Sequence, residues 1–340
     1  MYTLIESRAE IAKAQKTLEA TIRQNFKTAV VKDIGWQGGR LSQKRLHTRD
    51  GYWFFSEDHK QGPNPKRLNW FGKHGDGPGV QIAVEINVPY ADRNDRLAGF
   101  FARNNETGRV YMFHTGRVGG GAQGVSKDAF LAWTALKPTT VVDAAGDPRR
   151  AIIVMPIEGK GATRSAVDYV QNIVDFKQAV REGKADTPEA KERERLLKDF
   201  YDESSGRRKG RAIGRDIDYV SRHGEVVKAL SAWRRGDGLP RGERLVKNVL
   251  IDLGLQRAGT LSELYEVKTT SSRSDVYTAI GQLMVHSQGE DCKRVMVLPA
   301  DDRLQSDLAL ALRRHGIQIL RYRLSEDDVF ILLGSRCERS

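Results

Sequence analysis

Cysteine is nearly absent. Cys292 and Cys337 are the only two in 340 residues, too few and too isolated for a disulfide framework or a structural zinc site. Long apolar runs are also missing, and the mean hydropathy is −0.53. A membrane span, which needs about 18 or more consecutive apolar residues, is therefore not expected. The opening stretch MYTLIESRAEIAKAQ has neither the apolar core nor the basic leader of a signal peptide, so retention in the cytoplasm is the expectation. The histidines at 47, 59, 74, 114, 223, 286 and 315 form no metal-ligand spacing. Of these, His74 and His114, in polar loops, are candidates only for simple contacts. No GxxxxGK[ST] occurs, which excludes a Walker-type nucleotide hydrolase. Negative charge is in deficit. Against 56 Lys and Arg stand 44 Asp and Glu, a net charge of +12. A surplus of that size suits a polyanion, because each phosphate neutralised releases condensed counterions.

What is present divides the chain. Its length predicts two domains. Residues 4–25 have apolar side chains on one face of a helix: Leu4, Ile5, Ile11, Leu18 and Ile22. From about 28 to 157 short β-rich runs dominate (TAVV, GYWFF, VQIAVEINV, LAGFFA, RVYMFH, TTVVD, AIIVMP), with Gly, Pro, Asn and Asp between them and one helix at 126–136. Residues 163–203 return to charged amphipathic helix, followed by the Gly- and Arg-rich SSGRRKGRAIGR. The boundaries expected are a β-rich recognition domain at 1–160, a helical linker with a basic loop at 161–215, and a third segment at 216–340. That last segment reads α-β-β-α-β-α-β-β: helix 223–236, strands 247–257 and 261–270, helix 274–289, strand 293–299, helix 302–316, and two final strands. The fold class is α/β in this segment and α+β overall, with a mixed sheet flanked by helices.

The chemistry concentrates in the last segment. Hydrolysis of a phosphodiester needs a Lewis acid, an activated water and charge stabilisation at phosphorus. Two carboxylates on adjacent strands can grip Mg²⁺, and a lysine two residues beyond the second shares its face, because strand side chains alternate. Asp252 follows the apolar run VLI. Glu266-Val267-Lys268 comes fourteen residues later, across a predicted hairpin with its turn at Ala258-Gly259-Thr260. Val267 then points into the core while Glu266 and Lys268 face a cleft. Glu225 lies near the start of the preceding helix, where the alternative role is an acid favouring the helix dipole. Gln282 lies in the following helix. A bare E-x-K is common in charged chains, and its alternative role is an exposed edge-strand charge pair.

Residues 220–333, about one third of the chain, resemble the PD-(D/E)XK nuclease superfamily of restriction and repair nucleases. Asp252 matches the first motif acid, with Ile251 where proline often stands. Glu266 and Lys268 match the (D/E)XK element, Glu225 resembles the acid of the first core helix, and Gln282 the glutamine of the helix after the motif. The resemblance implies a restriction-endonuclease-like sheet, catalysis by Asp252, Glu266, Lys268 and Gln282, and Mg²⁺ (or Mn²⁺ in its place) held by Glu225, Asp252 and Glu266. It implies an endonuclease acting on double-stranded DNA, in a restriction or phage-defence role. One site per chain would favour a homodimer for cutting both strands. Alternatives are a non-catalytic nucleic-acid-binding protein with such a fold, or a dinucleotide-dependent enzyme. The last would use Gly119-Gly120-Gly121-Ala122-Gln123-Gly124, which follows RVYMFH and has Asp143 nineteen residues beyond it. Candidate DNA contacts are Arg207, Arg208, Lys209 and Arg211 in the basic loop, Arg117 beside the glycines, and Trp53 and Trp70 among interleaved aromatics and bases.

Overall fold

The computed structural model describes residues 1–340 except 37, 76, 120–123, 160, 186, 189, 193–194, 196–217, 288, 290, 325–328 and 333–340. It divides into two compact units, Met1–Arg195 and Leu196–Ser340. The class is α+β, with mixed sheets in both units. Arg207, Arg208, Lys209 and Arg211 lie outside the described residues.

In the first unit one sheet closes on itself. Strands β1 (Tyr2–Leu4), β9 (Gly99–Asn104), β10 (Val110–His114), β11 (Thr139–Val142) and β12 (Pro148–Pro156) form a barrel in the order β1-β11-β12-β10-β9. Only the β1–β11 pairing is parallel. Tyr2, Phe100 and Phe113 are in ring contact within it, the last two stacked at 5.5 Å. Leu4 thus belongs to a strand, and helix α1 begins later, spanning Arg8–Asn25.

The second sheet contains β2 (Thr28–Trp36), β3 (Gly39–Arg49), β4 (Tyr52–His59), β5 (Lys66–Lys73), β6 (Gly79–Gln81) and β7 (Val84–Glu85), ordered β6-β2-β3-β4-β5-β7. Strand β8 (Val88–Pro89) also pairs with β5. The sheet curls until β6 returns to β5: a Cβ on Gly72 would meet the Gln81 carbonyl at 2.6 Å. Alternation along β4 sends Trp53 and Phe55 into the concave core with Ile34, Leu46, Leu68, Trp70 and Val80. Phe54 meets Phe71 on the other face at 4.8 Å. Trp53 and Trp70 are 0% and 5% exposed, so the expected role in stacking on bases is corrected: both rings are core. His114 is also buried, not a loop contact. Burial first, then the nearby cations Arg149 and Arg117, pulls its imidazole down to about 3, and its Nδ1 lies 2.7 Å from the Tyr169 hydroxyl.

Helix α2 (Lys127–Thr134) is capped by the Ser126 side chain, which accepts from the Ala129 N–H. Helix α3 (Ala162–Arg181) buries Ala166, Tyr169, Val170, Ile173 and Phe176 and packs on β12 and β5. Its residues belong to the first unit rather than to a separate linker. Its amphipathic pattern, legible as helix, could not say which sheet its apolar stripe would cover.

The second unit contains helix α4 (Asp218–Gly236), then β13 (Glu243–Val246), β14 (Leu253–Arg257) and β15 (Thr260–Val267). Helix α5 (Arg273–His286), β16 (Lys293–Pro299), α6 (Ser306–Arg314), β17 (Ile317–Leu324) and β18 (Val329–Leu332) follow. The strands run in sequence order across one sheet. β15, β16 and β17 pair in parallel and the outer pairings are antiparallel. Val226 and Leu230 of α4 pack one face, against Tyr265, Val267, Val295 and Val297. Val276, Ala279 and Leu283 of α5 and Leu308 and Leu312 of α6 pack the other, against Leu264, Met296 and Leu298. This two-sided burial explains the nearly continuous apolar character of KRVMVLP. Arg234 of α4 donates to Glu263 of β15 from Nε (2.8 Å) and Nη2 (3.2 Å), tying that helix to the sheet. Burial pushes the Glu263 carboxyl up, but hydrogen bonds from Arg234 and Tyr265 outweigh it and hold the carboxyl below its usual range.

The β14–β15 hairpin turns at Ala258 (φ +48°) and Gly259 (φ +90°), the two left-handed positions of a tight hairpin turn. The ladder is interrupted once. Gln256 faces Leu261, whereas Leu255 faces Glu263, so Ser262 is an extra, bulged residue. Its hydroxyl donates to the Leu255 carbonyl at 3.2 Å.

Candidate active site

Beyond the bulge the pairing is regular, with Gly254 opposite Leu264 and Leu253 opposite Tyr265. The same register carried one residue further sets Asp252 opposite Glu266. Asp252 lies one residue ahead of β14, not inside a strand as expected, because the backbone at 248–251 turns. There the Asn248 side chain accepts from the N–H groups of Leu250 (2.8 Å) and Ile251 (3.1 Å). Ile251 enters the core and Asp252 is delivered to the end of the hairpin. Its Oδ2 accepts the Val267 N–H at 2.9 Å, which pins the carboxylate against the last residue of β15.

Val267 is 1% exposed and packs among the α4-facing side chains. Glu266 and Lys268 accordingly share the opposite, α5-facing side. Lys268 Nζ lies 2.8 Å from Glu266 Oε1 and 2.7 Å from Gln282 Oε1 on α5. Its backbone is held as well: the Lys268 N–H donates to the Val297 carbonyl at 2.9 Å, extending the parallel pairing with β16 past the end of β15. Helix α5 is fixed at its start by Ser272, whose side chain accepts from the Asp275 N–H at 3.2 Å. Gln282, nearly three turns further on, thereby reaches the lysine. Asp252 and Glu266 are 5% and 2% exposed. Two carboxyl groups buried this deeply beside a lysine gather several oxygen acceptors at a weakly solvated spot, the kind of donor set a hard cation takes.

Helix α4 contributes a residue that sequence reasoning missed. His223 Nε2 lies 3.2 Å from Asp252 Oδ2, the same oxygen that accepts the Val267 N–H. A lone histidine without partner spacing carries no sequence signal; only the packing of α4 brings it to Asp252. Glu225, expected as a third metal-binding acid, is half-buried on α4, with its Oε1 shielded from solvent. No three His, Cys, Asp or Glu side chains form a metal-binding cluster among the described residues. Mg²⁺ commonly keeps several waters and takes one or two carboxylates, and Asp252 and Glu266 are the pair here that could hold it. His223→Ala is expected to weaken any reaction at this site about tenfold, by loosening Asp252. A titration of Mg²⁺ against rate checks this, and an unchanged curve would remove His223 from the site.

The glycine-rich loop has different surroundings from those expected of a dinucleotide site. Gly120–Gln123 lie outside the described residues. Strand β10 before them pairs antiparallel with both β9 and β12, so the parallel βαβ unit that such a fingerprint requires is not formed here. Arg117 is exposed, with Nη1 donating to the Arg96 carbonyl at 3.4 Å. Comparisons with protein-family models, curated proteins and solved structures found no match. Among the described residues no helix is long and apolar enough to cross a membrane.

Proposed function

We propose that the second unit is the catalytic unit of a Mg²⁺-dependent endonuclease acting on double-stranded DNA, and that the first unit directs it to its substrate. One observation carries this reading. Asp252, one residue ahead of β14, accepts the Val267 N–H next to Glu266, and Lys268 Nζ bridges Glu266 and Gln282. Position, charge and spacing together match what phosphodiester hydrolysis needs. The net charge of +12 supports a phosphate-rich substrate.

Asp252 and Glu266 would hold Mg²⁺, with Mn²⁺ a substitute. When bound, the ion supplies Lewis-acid polarisation of the phosphate and a more acidic water. Gln282 accepts from the Lys268 ammonium and so fixes its direction. Lys268 can then orient the attacking water or stabilise negative charge building at phosphorus. Val267 and His223 both hold Asp252 through one oxygen, so the carboxylate does not rotate as charge develops. A restriction or phage-defence role, and a homodimer that cuts both strands, belong to this proposal.

Incubation with modified and unmodified plasmid and phage DNA, in Mg²⁺ or in EDTA, tests it. Cleavage of at least one substrate in Mg²⁺ and none in EDTA is expected. Tight DNA binding without cleavage of any substrate would sink the catalytic reading and leave a non-catalytic binding protein.

A further inference from the structure

A groove of about 720 Å³ opens in the first unit between α1, the ends of β4 and β5, and β8. One wall is apolar: Ile11 and Val88 are 3% and 0% exposed, and Ala12, Pro65 and Pro89 line it beside them. The other side is a polar network, buried at Gln15, Glu19 and Asn69 and open to solvent at Asp58. Gln15 Nε2 donates to Glu19 Oε1 (2.8 Å) and Asn69 Oδ1 (2.9 Å), and Asn69 Nδ2 donates back to Gln15 Oε1 (3.0 Å). Arg67 donates to Glu19 from Nε (3.0 Å) and Nη2 (2.7 Å), and its Nη1 lies 3.1 Å from Asp58. Tyr90 donates its hydroxyl to Asp58 at 2.8 Å. That bond, with Arg67 and Lys60 nearby, keeps the Asp58 carboxyl below its usual range against a smaller upward push from desolvation. Three exposed cations, Arg8, Lys16 and Lys60, stand on the rim, with Lys60 Nζ 3.9 Å from the exposed Asp58 carboxylate.

Placing Gln15 and Glu19 on the buried stripe of α1 is costly. Replacing a buried ionic network with apolar side chains is often neutral or stabilising. A network of this kind beside a cavity therefore points to a ligand that uses it. We infer that the groove binds a single nucleotide unit. Its base lies on the Ala12–Pro65–Pro89 wall, its polar edge meets Gln15, Glu19 and Arg67, and its phosphate lies at the cationic rim. The volume falls within the ordinary range for small-molecule sites. A base demands flat apolar contact together with both donors and acceptors at its edge. Beyond the bonds of the network, Glu19 Oε2 and Gln15 Oε1 each keep an acceptor position and the Arg67 guanidinium keeps N–H donors. An acyl chain would leave the polar network unused, and a simple anion would leave the apolar wall bare. The nucleotide can be free, or turned out of a DNA strand. This assignment deepens the reading of the first unit as the recognition unit and rests on it. It does not involve the chemistry at Glu266.

Two binding arms on the full chain, with no cleavage readout, distinguish the sources. In one, the four deoxynucleoside monophosphates are titrated by calorimetry. In the other, a short duplex with one mismatched pair is compared with its fully paired counterpart in EDTA. Saturable binding of a monophosphate identifies a free ligand. At least tenfold tighter binding of the mismatched duplex identifies a nucleotide turned out of the strand. In either case Ala12→Trp, at an exposed helix position on the groove wall, is expected to abolish the effect without lowering the Tm. If that variant does not fold, the double variant Lys16→Glu, Lys60→Glu is expected to weaken the same binding about tenfold. Neither ligand binding in this way, or binding unaffected by the folded variant, overturns the inference. Loss of the nuclease reading through a failure to cleave would leave these binding results standing on their own.

Discussion

Lys268→Ala is expected to lower Mg²⁺-dependent DNA cleavage by about a hundred- to a thousandfold, the usual cost of removing one preorganised group that stabilises transition-state charge. The side chain is confined between Glu266 and Gln282, at 2.8 and 2.7 Å. Its loss removes a cation without opening the core, since the neighbouring Val267 and Tyr265 carry the packing on the other face. Affinity for DNA measured without cleavage should therefore change by no more than about twofold, because one phosphate contact among many contributes little to total binding. The effect should appear in kcat and not in KM. Gln282→Ala should give a milder loss in the same parameter. A Lys268→Ala protein that cleaves at the wild-type rate would remove the lysine from the chemistry and, with it, the reading of this cleft as a nuclease site.

Trp53→Ala is expected to destabilise the first unit by about 3–5 kcal/mol, the range for emptying a large buried aromatic site. Trp53 is fully buried in the curled sheet, and its ring lies against the Cα of Gly72, where even an added Cβ would come within 2.7 Å of it. Nothing nearby can move in to fill the space without breaking the β4–β5 pairing. Thermal denaturation should show a fall of about 10 °C or more in the transition of this unit. Trp36 is the control. It is 36% exposed and meets Trp70 at 5.4 Å, so Trp36→Ala should cost about 1 kcal/mol or less. If Trp53 acted as a stacking platform for bases, Trp53→Ala would lose DNA affinity at unchanged Tm; that outcome would contradict its assignment to the core.

The two units differ in how much of them could be read from the chain. In the second, almost every element was legible, because apolar strands alternate with amphipathic helices and each period is strong. Asp252, Glu266, Lys268 and Gln282 could be selected because strand alternation and hairpin pairing are local rules. What escaped was non-local. His223 reaches Asp252 only through the packing of α4. Strand β13 also escaped, since ERLV carries too short a pattern to distinguish from a loop.

In the first unit the strands with strong apolar runs were found, whereas β3 (GRLSQKRLHTR) and β5 (KRLNWFGK) were not. Their inward residues alternate with charges and glycine, and the signal is diluted. VQIAVEINV read as one strand but is broken into β6, β7 and β8, because the chain turns to pair first with β2 and then with β5. The aromatic cluster was legible as a composition but not as a location, since a buried and a base-stacking tryptophan share the same β-rich, basic neighbourhood. The polar network around Glu19 did leave a trace. Gln15 and Glu19 interrupt the apolar stripe formed by Ile11, Ala14, Leu18 and Ile22, and polar residues at such positions call for partners.

The bulge at Ser262 has a consequence for how this hairpin tolerates insertion and deletion. Loss of Ser262 would straighten β15 and still leave Leu255 beside Glu263 and Asp252 across from Glu266, because the residue removed is the unpaired one. Loss of Leu264 or Tyr265 would instead turn Glu266 and Lys268 away from Gln282 and put a core side chain in their place, since a one-residue slip exchanges the two faces of a strand. Along these few positions, a change in chain length is silent at one site and ruinous two residues further on.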